Sequence, residues 1–185
     1  MSRRAAVLAS LAVAAAATTA RAEPSEPLPA GRLAVIAGVR TGTGSLYNSI
    51  GTGGVLGFEA GYAPLRAPQT IGIGLSWSIL WSYYGDGSAR IADSMSMVEL
   101  DAGVRVRLML GARRRSVVYV GGGPALTRTN EPLFADGDRS YLAGWGAIGV
   151  ETLPFGLLVT TSVRFAAIDN GRGTIGLMFS LGSGR

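Results

Sequence analysis

The chain has 185 residues, enough for one domain with a real core and short for two. Apolar residues make up 48% of it and charged residues 16%, which excludes a disordered protein, while the absence of cysteine excludes disulfides and thiolate metal sites. All 17 basic residues are arginine, three of them in the first 22 positions, and the remaining charge is diffuse apart from Arg113-Arg114-Arg115, so no basic face interleaved with aromatics exists to track nucleic acid.

The N-terminus reads Met1-Ser2-Arg3-Arg4, an apolar run over residues 5–17, then Ala20-Arg21-Ala22 before Glu23. A basic start, an apolar stretch too short to span a bilayer and a small-x-small site describe a secretory signal peptide over residues 1–22, with Glu23 as the mature N-terminus. Residues 23–31 (EPSEPLPAG) are rich in Pro and acid and read as an extended lead-in.

Beyond residue 22 no run of about 20 apolar residues occurs, so a membrane-spanning helix is not expected. Period-two alternation appears instead, first at 32–40 and 55–63 and then clearly over 71–83. There Ile71, Ile73, Leu75, Trp77, Ile79, Trp81 and Tyr83 share one parity against Gly72, Gly74, Ser76, Ser78, Leu80 and Ser82. The segment 96–110 carries Val98, Leu100, Ala102, Val104, Val106, Leu108 and Leu110 on one face and Glu99, Asp101, Gly103, Arg105 and Arg107 on the other. Segments at 117–128, 142–152, 157–168 and 174–182 complete eight predicted strands. Pro124 marks a bulge or edge in the fifth, because proline cannot donate to a closed ladder.

Counted from the first strand, the odd connections are long, at roughly 12–14 residues, except for a short last one over 169–173. The even connections are short, at roughly 4–7, an alternation expected of an up-and-down membrane barrel. A strand of about thirteen residues is long for a soluble sheet and fits a tilted bilayer-spanning strand. The predicted fold class is all-β: an antiparallel up-and-down transmembrane β-barrel of about eight strands over residues 32–182, with a tail at 183–185.

On this pattern the chain resembles the small eight-stranded outer-membrane barrels of the OmpA and OmpX kind, without an appended periplasmic domain. The resemblance implies outer-membrane lipid and the barrel-assembly machinery as partners. Gly176-Leu177-Met178-Phe179-Ser180-Leu181 resembles the family's terminal assembly signal, although the chain continues through Gly182-Ser183-Gly184-Arg185 instead of stopping on an aromatic.

The chain contains no histidine, and outer-membrane hydrolases and acyltransferases of similar fold generally rely on a histidine base, so no enzyme and no cofactor or metal is expected. Glu99 and Asp101 lie two apart on one strand face, about 7 Å from each other, the one placement that leaves a carboxylate-only mechanism open. The reading favoured for them is structural: with Arg40, Glu59, Arg105, Arg107, Glu151 and Arg164 they form an inward-facing network of four acids and four arginines. Small neighbours at Gly72, Gly74, Ser76, Ser78, Gly121 and Gly123 give long side chains room to cross the lumen. The clusters Gly42-Thr43-Gly44, Gly51 to Gly54 and Gly121-Gly122-Gly123 match no phosphate-binding fingerprint and belong to loops and curved strands.

Trp81, Tyr83, Tyr84 and Tyr141 are placed in one interfacial girdle and Tyr62, Phe155 and Phe179 in the other. The function expected is a non-enzymatic outer-membrane barrel contributing to envelope structure or surface interaction through its outer loops. The alternative is a narrow channel or carrier for a small apolar solute. A secreted soluble lipid-binding barrel would instead turn its apolar face inward.

Overall fold

A computed structural model describes residues 28–46, 50–65, 70–85, 95–109, 116–130, 133, 137–169 and 172–184. The signal peptide, residues 23–27 of the lead-in, Leu110, Arg113-Arg114-Arg115 and parts of several connections lie outside the described residues. Eight strands run β1 (Gly31–Thr43), β2 (Thr52–Tyr62), β3 (Ile71–Tyr84), β4 (Met95–Met109), β5 (Ser116–Thr129), β6 (Ser140–Thr152), β7 (Leu158–Asp169) and β8 (Arg172–Gly184). Each pairs antiparallel with its sequence neighbour, and β1 pairs with β8, so the sheet closes with no free edge. Closure matters because backbone polar groups in hydrocarbon have no water to turn to.

Strand parity is what the alternation predicts. On β3 and β4 every residue of the apolar parity points outward, and Leu33, Val35, Phe58, Leu75, Trp77, Leu100, Val104, Ile148 and Phe165 are among the large apolar side chains left exposed around the barrel. A closed barrel with its charges inside and an apolar belt outside is built for lipid, since a monomer in water rarely exposes contiguous apolar surface on this scale. Strands of 11 to 15 residues exceed the roughly 9–11 needed to cross a bilayer, so they project beyond it.

The strands run further than the alternation alone suggested. Thr41 pairs with Thr52, and Ser183 and Gly184 pair with Leu33 and Arg32, so polar and glycine-rich stretches read as loop or tail continue the ladder. The upper end, carrying the β1–β2, β3–β4, β5–β6 and β7–β8 connections, therefore has connections of 8, 10, 10 and 2 residues, against 8, 6 and 5 at the lower end. The expected length contrast is weaker than sequence suggested and vanishes for the first pair.

Pro124 is neither a bulge nor an edge. It pairs with Gly144 on β6, and the β4–β5 register is the same on both sides of a gap opposite Gly123 and Pro124. That register sets Pro124 opposite Ala102, whose carbonyl would receive the N–H that proline lacks; Trp145 Nε1 donates to it instead at 3.0 Å. The one register irregularity in the β7–β8 pair lies at Ala167/Asp169.

Candidate functional site: a plugged lumen

The interior is a stack of layers, each traceable to inward parity. At the upper mouth Leu46 and Ile50 from the β1–β2 connection and Leu133 from the β5–β6 connection are buried with Tyr84, Met95, Met97, Tyr141 and Ile168. The Tyr141 hydroxyl accepts from Leu133 N at 2.9 Å and donates to the Asp138 carbonyl, which pins this loop into the mouth. Tyr84 and Tyr141 thus face the lumen, correcting their assignment to a girdle. Their strand parity, shared with Ser82 and Ala143, is inward.

Beneath this lid lies the first ion network. Glu99 has no accessible surface; Arg40 grips it through two N–H groups at 3.0 and 3.1 Å, and Arg164 Nη2 reaches it at 3.2 Å. Arg164 also pairs with Asp101, which accepts from Ser78 Oγ at 2.7 Å. Four charges from β1, β4 and β7 meet across the lumen and balance.

The second network lies nearer the lower mouth. Arg32 binds Glu59 at 2.8 Å and Glu151 at 2.6 Å, Arg105 binds Glu59 and reaches Glu151 at 2.8 Å, and Arg107 reaches Glu151 at 2.8 Å. Arg107 also donates to the carbonyls of Pro29 and Ala63 at 2.8 and 2.9 Å. The end of the lead-in thereby becomes part of the lower closure, where Leu28 is buried with Leu65, Val117 and Leu158.

All eight residues singled out from sequence face the interior and divide between the two networks. Arg32 is the member that sequence reasoning missed, although it shares parity with Arg40 eight positions on. Among the described residues it makes five arginines to four acids instead of an equal count.

Two aromatics were also missed. The Arg105 guanidinium stacks 3.6 Å from the Tyr119 ring centroid and that of Arg164 4.3 Å from Trp145. Glycines make this possible: a side chain at Gly103 would collide with the Trp145 indole and one at Gly149 with the Tyr119 ring. The parity that Trp145 shares with Glu151, and Tyr119 with Gly121 and Gly123, was the available signal.

The opposite wall at mid-height is apolar, with Ile36, Val55, Leu80 and Met178. Among the described residues no group of three or more acidic side chains is arranged to hold a metal ion.

The sequence matches no family model and no curated protein. Solved structures do match in shape. Neisserial surface protein A superposes with a TM-score of 0.59 at 14% identity, over 84% of this chain and 97% of that one. The attachment invasion locus protein Ail of Yersinia pestis gives 0.51 at 13% identity, over 82% and 97%. The chain has the small eight-stranded outer-membrane barrel fold. At such identity the likeness is one of architecture, and the barrel's layered interior is described on its own residues.

Proposed function

We propose that the protein is exported through its N-terminal signal, inserted in the outer membrane, and acts there without catalysis, through envelope structure or surface interaction by its upper loops. The observation that carries this reading is the double closure of the lumen. Among the described residues, apolar lids occupy both mouths and two ion networks lie between them, which supports a lumen closed to water and ions. Eight strands enclose a space that side chains fill, and here they fill it.

A solute path would require disbanding buried ion pairs, so function is assigned to the surfaces the barrel presents outside. The two similar structures support that direction by their names, one a surface protein and the other an attachment invasion locus protein. Lipid and the barrel-assembly machinery are the partners this reading requires.

The test is planar-bilayer recording with the purified mature protein, joined to membrane fractionation. Little or no steady conductance is expected, together with outer-membrane fractionation, heat-modifiable gel migration and a mature N-terminus at Glu23. Reproducible large channels would favour the channel reading instead, and intact Met1–Arg185 recovered from the cytoplasm would overturn the localisation.

A further inference from the structure

The two networks do not balance alike. Among the described residues, the upper has two arginines and two acids and the lower three arginines with Glu59 and Glu151, one positive charge in excess between the apolar lids of the two mouths. An uncompensated charge away from water is strongly unfavourable.

Between the networks is a cavity of about 20 Å³, room for one water-sized occupant. Its wall includes Ser76, Arg105, Arg164 and Ser162. Glu59 is also on the wall, already engaged by Arg32 and Arg105. Two of these lining residues carry a buried donor, Arg105 Nε and Ser76 Oγ, that has no hydrogen-bond partner among the described residues. Ser76 stands between Gly61 on β2 and Gly103 on β4, so neither cross-strand neighbour brings a side chain over it. Arg105 and Arg164 are each stacked on an aromatic ring, which fixes their guanidinium planes and leaves the N–H edges to face acceptors.

We propose that this cavity is a binding site for a single monovalent anion of halide size, held by Ser76 and Arg105 and neutralising the fifth arginine. An anion supplies both the missing charge and the missing acceptor. A water would supply only the acceptor.

The test uses the mature protein folded in detergent, with chloride exchanged for gluconate at constant ionic strength. Binding to the folded state alone lowers the unfolding equilibrium constant about tenfold for each tenfold rise in chloride above the dissociation constant. Crystals grown in bromide should show an anomalous peak beside Ser76. Ser76→Asp builds a carboxylate into the same space and should abolish the chloride dependence.

Absence of the bromide peak, meaning a water only, overturns the proposal whatever the titration shows. A chloride dependence that persists in Ser76→Asp places the ion elsewhere and also overturns this site. Should Ser76→Asp not fold, the bromide map and chloride series of the unaltered protein decide.

Discussion

Replacing Glu99 by glutamine keeps the side chain's shape and removes the charge on which Arg40 and Arg164 converge. The carboxylate has no accessible surface and receives N–H groups at 3.0, 3.1 and 3.2 Å. In Glu99→Gln, one acceptor oxygen becomes an NH₂ group facing a guanidinium, and two buried arginines are left with Asp101 alone. Removing one partner of a buried pair costs about 3–5 kcal/mol, because the remaining charge stays desolvated. That is roughly two to nearly four powers of ten in the unfolding equilibrium constant.

Urea unfolding in lipid vesicles, followed by the shift between folded and unfolded migration on gels, measures this directly. Adding Arg40→Met to Glu99→Gln should return more than about 1 kcal/mol, since it removes the orphaned charge. A loss below about 1 kcal/mol for Glu99→Gln would mean the pair is hydrated like a surface salt bridge, and the plugged-lumen reasoning would be wrong.

Two further substitutions test other layers. Val104→Arg places a guanidinium on the lipid face at mid-strand and should cost about 2–4 kcal/mol, whereas Leu108→Arg near the lower end should cost about 0–1 kcal/mol. Equal costs in a vesicle refolding titration would contradict the placement of the belt. Trp145→Phe leaves the Ala102 carbonyl without its donor and should cost about 1–3 kcal/mol. Adding Pro124→Ala, which restores a backbone N–H opposite that carbonyl, should recover part of the loss in the same assay, and no recovery would refute the compensation.

The fold was legible because closure and lipid impose a two-residue period that survives in single strands: β4 alone shows both faces from Val98 to Leu108. The inward charges were legible for the same reason. What escaped lay where the period gives no boundary. Arg32 was missed as the first residue of its segment, with no alternation before it to set its parity. Tyr84 and Tyr141 read as girdle residues by their height, but parity turns them inward, where apolar residues from the loops cover them. Loop lengths misled because Thr41 and Thr52, polar and beside glycine, pair as readily above the membrane as residues within it. The stacking of Arg105 on Tyr119 and of Arg164 on Trp145 depends on which strands face each other across the lumen, a relation that linear alternation does not contain.

The central claim is that the apolar face of every strand meets lipid and the charged face closes the lumen, and the chain's three tryptophans report on it without foreign labels. Trp77 and Trp81 are 53% and 64% exposed on the outer face, and Trp145 is 7% exposed inside. In vesicles of brominated lipid, Trp145→Phe should leave a strongly quenched emission from Trp77 and Trp81, and Trp77→Phe with Trp81→Phe should leave Trp145 nearly unquenched. Equal quenching in the two variants, or stronger quenching of Trp145, would contradict the account.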